Sequence, residues 1–330
     1  MKYLLALCLL VLPAALYSEE PTVATFSIVG IDPANGDLGV AVASRYFSVG
    51  SVVPWAHAGA GAVATQANVN VGYGPQGIDL LRQGLTAKQV LDKLRAEDTF
   101  PGKDGRQVAI VDAKGNIAAY TGPEASPWAG DRQGKTWSAQ GNLLVGPQVL
   151  EAMGKAFDAT QGELAEKLYA ALKAGDDAGG DARGKQSASL LVVRKLGGRN
   201  TNNDRYVYIN VDDNPQPMPE LRRLLDLNLF YLYLGSAFRL QDQGDSKAAL
   251  TAGRKAAGYA PQNPDSHLYL GILEYLSGNK EAAQESFRKA QTMNPDFRNQ
   301  FERTIQGDQD LKALREDKAF LGKLFPAGEK

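Results

Sequence analysis

The sequence predicts an α+β protein, a four-layer αββα sandwich followed by an all-α helical region. Two observations predict the sandwich. Between residues 25 and 211 apolar strand segments come in pairs, and helical segments also come in pairs between them. That order suits two antiparallel sheets stacked between helical layers better than alternating βαβ units. A third observation predicts the helical region: beyond Pro215-Gln216-Pro217-Met218-Pro219 the strand signals stop, and helical periodicity runs to about residue 324.

The chain opens on Lys2 and an apolar run from Leu4 to Leu16, well short of the ~20 residues that span a bilayer. Residues 1–24 therefore read as a signal peptide, and the expected location is exported, periplasmic or secreted, with no transmembrane segment. Two cut sites stand open. Cleavage after Ser18 leaves a short tail, whereas cleavage after Ala24, where Thr22 and Ala24 are small, releases Thr25 as the first residue.

Strands are expected from Thr25 to Ile31 and from Leu38 to Ala43, around Asp32-Pro33-Ala34-Asn35-Gly36-Asp37, whose proline and Asn-Gly pair mark a hairpin turn. Val52-Val53 and Gly59 to Thr65 read as further strand. Helices follow over Gly77 to Gln83 and Thr86 to Glu97, the second opened by a capping box of Thr86 and Gln89. Gln107 to Val111 and Ile117 to Tyr120 form another hairpin, and Trp137 to Val145 a strand. Pro147 to Phe157 and Gly162 to Ala174 are helices, and Ala188 to Val193 with Tyr206 to Val211 is the last strand pair. The sandwich thus covers 25–216 and the helical region 217–330. In the latter, Tyr233-Leu234-Gly235 recurs as Tyr269-Leu270-Gly271 and Ala248-Ala249 as Ala282-Ala283, and the alanine offset matches the ~34-residue tetratricopeptide period.

Composition narrows the chemistry. Lys+Arg number 36 and Asp+Glu 37, and loss of the leader leaves the chain neutral, with no electrostatic footprint for nucleic acid. The single cysteine, Cys8, lies in the leader, so the mature chain forms no disulfide or thiolate metal site. Two histidines, His57 and His267, leave little room for Ser-His-Asp, Cys-His or multi-His zinc chemistry. Neither a cofactor nor a metal is expected.

Thr25 supplies what is otherwise missing. Once Ala24–Thr25 is cut, one residue carries a nucleophilic hydroxyl and an α-amine of pKa about 7.7–8.0, a base for its own proton. Ser27 lies two positions on, on the same strand face, and is either a proton relay or an ordinary sheet serine. Gln66 and Asn142 carry side-chain amides of the kind that hold an oxyanion, or that satisfy local backbone. Arg45, Asn68, Asp181 and Arg183 are candidate substrate-binding residues at strand ends and loops, Asp181 and Arg183 alternatively pairing with each other. Gly179 to Ser187 lacks the Gly-Lys-Ser/Thr spacing of a phosphate loop, and Asp212-Asp213-Asn214 lacks calcium-loop spacing.

Positions 24–228 closely resemble the domain-of-unknown-function family 1028. The resemblance rests on Thr25-Phe26-Ser27-Ile28-Val29, Gly39 to Ser44, Val49 to Ala56, Gly61 to Ala67, Gln140-Gly141-Asn142, Gly180 to Gly184 with Gln186-Ser187, and Val211-Asp212-Asp213 through Arg222. It implies the fold of N-terminal nucleophile (Ntn) hydrolases and, by analogy, amide-bond hydrolysis from a terminal threonine. Relatives often begin with Met-Thr, where this chain has a leader, and frequently carry histidine at the position of Asn214. Some members carry a peptidoglycan-binding domain, which suggests a cell-wall connection.

The leading expectation is an exported Ntn-type hydrolase that cuts an amide bond in a small amide or a peptidoglycan-derived peptide, with Thr25 as nucleophile. The rival is a non-catalytic envelope scaffold that uses its helical repeats to bind a protein partner or a second copy. A third reading places hydrolysis on Ser27 or His57.

Overall fold

The structure, a computed structural model, describes residues 25–326. The expected leader and both of its cut sites lie outside the described residues. The first part of the chain runs β1 (Thr25–Asp32), β2 (Asp37–Ser44), β3 (Pro54–His57), β4 (Gly61–Ala67), α1 (Tyr73–Arg82) and α2 (Ala87–Glu97). It continues through β5 (Arg106–Asp112), β6 (Ile117–Thr121), β7 (Gly130–Gln133), β8 (Trp137–Asn142), α3 (Gln148–Ala159), α4 (Leu164–Asp177), β9 (Ser187–Val193) and β10 (Arg205–Val211). Two sheets result, a six-stranded one in the order β10-β9-β2-β1-β8-β7 and a four-stranded one in the order β3-β4-β5-β6. Every strand pair is antiparallel.

Alternation along β1 shows how the layers stack. Val29 and Ile31 pack with Ala62, Ala64, Ala109 and Val111 of the other sheet, while Phe26 and Ile28 pack with Met153, Phe157, Leu168 and Leu172 of α3 and α4. On the far side, Val63, Val108 and Ile110 meet Tyr73, Val90 and Leu94 of α1 and α2. Both sheets are therefore covered on both faces, which is why β1, β2, β5 and β9 read as largely apolar runs. Burying each large aliphatic side chain contributes about 1.5–3 kcal/mol.

Local signals account for several boundaries. Gly36 takes φ 76° in the β1–β2 turn, a conformation glycine adopts without strain. Thr86 and Gln89 form the expected capping box at the start of α2. Three expectations need correction. Val52-Val53 are not strand: their N–H groups bond to the Val49 carbonyl at 3.2 and 3.1 Å in a tight turn, and β3 starts only at Pro54. Gly59, with φ 75°, belongs to the turn between β3 and β4. The strand expected to reach Val145 ends at Asn142, because Leu143 turns left-handed at φ 50° and the chain pairs instead with the Gly180–Ala182 loop.

The helical region comprises α5 (Pro217–Asp242), α6 (Ser246–Tyr259), α7 (Pro264–Leu276), α8 (Lys280–Met293), α9 (Phe297–Gln306), α10 (Lys312–Glu316) and α11 (Lys318–Leu324). Helix α5 belongs to both parts of the molecule. Met218, Leu221, Leu225 and Leu229 join the core over the six-stranded sheet, whereas Ala237, further along, packs with Ala249 and Leu250 of α6. Ala249 and Ala283, which the repeat comparison aligns, are both buried. Among the described residues no helix is long and apolar enough to cross a membrane.

Candidate active site

The space between the sheets is apolar over most of its extent and turns polar where β1 begins. In the six-stranded sheet the register aligns Ser187, Ser44, Thr25 and Asn142 across β9, β2, β1 and β8. In the four-stranded sheet it aligns Gln66, Gln107 and Thr121 across β4, β5 and β6. These two polar rows meet between the sheets.

The Thr25 and Ser44 hydroxyls lie 3.1 Å apart. Ser27 donates to Gln66 Oε1 at 2.6 Å and accepts from Gln140 Nε2 at 2.6 Å. Gln66 Nε2 donates to Gln107 Oε1 at 2.7 Å and reaches the Thr25 and Gln140 carbonyls at 3.2 and 3.5 Å. Gln107 Nε2 meets Thr121 Oγ1, the Gly130 carbonyl and the Gly141 carbonyl at 3.0, 3.1 and 2.9 Å. Asn142 Nδ2 donates to Gln107 Oε1 at 3.2 Å. Every one of these amides is essentially buried. A buried amide is stable only while its hydrogen bonds are made, so the network holds its members in one arrangement.

Donor counting separates the two expected oxyanion residues. A primary amide has two N–H bonds. Gln66 faces three acceptors with its two, whereas Asn142 faces one. Asn142, directly across the ladder from Thr25, is therefore the amide with a donor to offer, and Gln66 is the residue that locks Ser27 in place.

The expected substrate-binding residues divide as well. Arg45 follows Ser44, and its N–H bonds to Asp181 Oδ2 at 2.8 Å. Asp181 also takes an ion pair from Arg183 Nη2 at 2.9 Å, and Arg45 Nη1 donates to the Arg183 carbonyl. These three residues form one cluster, and Asp181 shares a narrow crevice with Phe26, Ser44 and Ser187, beside the Thr25 row. Asn68 is not part of it. Its carbonyl accepts from Arg106, and its side chain packs against Gly102 and Gly105. His57 bonds through Nδ1 to the Ala58 carbonyl at 2.8 Å, at the far end of β3 from the polar rows.

The model of the family of unknown function DUF1028 matches residues 25–221. The chain belongs to the DUF1028 family. Among solved structures it is similar to the crystal structure of a DUF1028 protein from Silicibacter pomeroyi, with 32% sequence identity and a TM-score of 0.56. That similarity covers 62% of this chain and 85% of the other. No curated protein matches.

In this DUF1028 chain, sequence reasoning missed Ser44, Gln107 and Gln140 as members of the site. The available signal was a polar side chain buried in a strand of a sheet covered on both faces. Gln107 is the hub. Replacing it by leucine leaves Gln66 and Asn142 without their shared acceptor, and Gln107→Leu is expected to destabilise the protein by about 3 kcal/mol. Urea unfolding of the variant beside wild type measures the loss, and an unchanged midpoint would show that the amides find other partners.

Proposed function

We propose that this protein is an exported amide-bond hydrolase of the N-terminal nucleophile type, activated when the Ala24–Thr25 bond is cut. The reading is carried by the start of β1, where the Thr25 hydroxyl sits 3.1 Å from Ser44 and directly across from Asn142, at the polar end of an otherwise apolar sandwich. Helical layers on both sides of two stacked antiparallel sheets suit the Ntn-hydrolase arrangement. Fold alone does not assign chemistry, so the site bears the weight.

In this mechanism the α-amine of Thr25 takes the hydroxyl proton as Oγ1 attacks the amide carbonyl. Asn142 Nδ2 donates to the oxyanion, a contact worth about 2.7–4 kcal/mol in such sites. The ammonium returns its proton to the leaving nitrogen as the C–N bond breaks, and water then hydrolyses the threonyl ester. Ser44 orients the nucleophile, while Ser27, Gln66, Gln107 and Gln140 hold the strand ends. In this reading Arg45, Asp181 and Arg183, clustered just past the end of β2 beside Ser44, bind a small amide or peptidoglycan-derived peptide. The α5–α8 helices act as a tetratricopeptide-like pair of repeats for a protein partner or a second copy.

One observation favours the non-catalytic scaffold instead: Thr25 is wholly buried, and the polar groups of Ser27 and Gln66 bond to each other. N-terminal sequencing and intact mass of the exported protein separate the readings. The hydrolase requires a mature chain that starts at Thr25. A chain that starts at Glu19 has no free amine on the nucleophile and leaves the scaffold.

A further inference from the structure

A second polar cavity lies at the opposite end of β9 from the Thr25 row, between the β9–β10 loop and helix α5. Its volume of about 440 Å³ falls in the ~300–1,000 Å³ range of small-molecule sites. Arg194, Arg199 and Arg239 line it together with Tyr206, Tyr231 and Tyr233, and no carboxylate does among the described residues.

The three arginines are not equivalent. Arg194 forms a two-pronged pair with Asp37, through Nε at 2.7 Å and Nη2 at 2.6 Å, so its charge is balanced. Among the described residues Arg199 and Arg239 have no acidic partner. Arg199 lies 5.2 Å from the Tyr231 ring centroid, which fixes its direction while leaving its N–H donors available. Arg239 comes from α5, where Leu232, Gly235, Ser236 and Arg239 fall on one helical stripe facing the cavity. Gly235 keeps that floor low: a Cβ there would lie 3.5 Å from Arg239 Nη1.

The loop on the other wall holds a strained backbone. Leu196, Asn200 and Thr201 take φ values of 53°, 59° and 51°. For a β-branched residue such as Thr201 this is an outlier, and such strain concentrates at ligand clamps.

We propose that this cavity binds a small organic oxyanion, a carboxylate or a phosphate ester, held by the guanidinium forks of Arg199 and Arg239 over the Gly235–Ser236 floor. Two unpaired forks facing one cavity without a competing carboxylate match the planar, bidentate geometry such oxygens require. The site is separate from Thr25, so the inference stands whether or not the chain hydrolyses amides.

Isothermal titration of the full-length protein with citrate, and separately with glucose 6-phosphate, tests it. At low salt at least one probe is expected to bind with Kd below about 1 mM. Arg239→Gln and Arg199→Gln should each weaken that binding at least about tenfold, and Arg239→Lys should fall between, since it keeps the charge and loses the fork. Both arginines are exposed, so thermal unfolding of the variants should match wild type. Preference for one probe names the oxyanion class. No binding of either probe up to about 10 mM, or variants that bind as well as wild type, would overturn the proposal.

Discussion

Thr25→Ala is expected to lower amide hydrolysis by the mature protein by roughly 10⁴-fold or more, the scale seen when a nucleophile is removed from a unit that acts as one. The substitution takes away Oγ1 and with it the hydroxyl contact to Ser44. It leaves the apolar alternation of β1 untouched, so circular dichroism should be unchanged and the unfolding midpoint should fall by the loss of one buried hydrogen bond, about 1 kcal/mol. Thr25→Ser keeps the hydroxyl and should retain measurable turnover. Steady-state rates on a library of small amides and muropeptide-like peptides make the comparison. Equal rates for wild type and Thr25→Ala would remove the nucleophile from the mechanism and return the chain to the scaffold reading.

The second large effect lies at the clamp that holds the strand ends behind the site. Arg106 Nε pairs with Asp98 Oδ2 at 3.0 Å, and both side chains are almost wholly buried. Asp98 also accepts from Tyr73 Oη at 2.8 Å and from the Phe100 N–H at 3.0 Å. Arg106 reaches back to the Asn68 carbonyl, and so ties the residue just past β4 to the first residue of β5. Gln66 and Gln107 sit one residue inside those ends. Asp98→Asn strands a buried guanidinium without its counter-ion and is expected to cost about 3–5 kcal/mol. The double variant Asp98→Leu with Arg106→Met should recover much of this, because it removes both charges. Urea melts of the three proteins decide the matter, and a single variant as stable as wild type would show that the pair contributes little.

The same carboxylate sets a pH dependence. Burial pushes the Asp98 carboxyl up, but hydrogen bonds from Arg106, the Phe100 N–H and Tyr73 outweigh it and hold it below its ordinary value. A group whose folded pKa is depressed stabilises the native state above its unfolded pKa, here about 3.9. That contribution disappears as pH falls through the folded value. Wild type should therefore lose stability on acidification below about pH 4, and the double variant should lose less.

Much of the fold was legible because local rules carried it. The Asn35-Gly36 turn, the Thr86 capping box and the strand pairs around Lys114-Gly115 and Arg199 all follow from nearest-neighbour chemistry. The errors came where a local apolar signal was overruled. Val52-Val53 has strand composition, yet the Val49 carbonyl draws it into a turn. Leu143 to Val145 is apolar, yet it pairs with Gly180 and Ala182, far along the chain.

The candidate site was legible in a different measure. Its candidate nucleophile, Thr25, was visible as a hydroxyl residue opening an apolar strand, and two histidines and a single cysteine left few alternatives to it. Ser44, Gln107 and Gln140 gave no local sign of acting together. Ser27 and Gln140 are 113 residues apart, and Ser27 and Gln66 are 39 apart.

By itself the sequence determined the element types and the candidate position of Thr25. Those depend on side-chain period and residue type, which neighbours along the chain express. Tertiary structure alone decided that Thr25 faces Ser44 and Asn142, that Gln66 is occupied while Asn142 has a donor to offer, and that Asn68 stands apart. Such contacts are set by cross-strand register and by the stacking of one sheet on another, and both come from long-range burial that no short stretch of residues encodes.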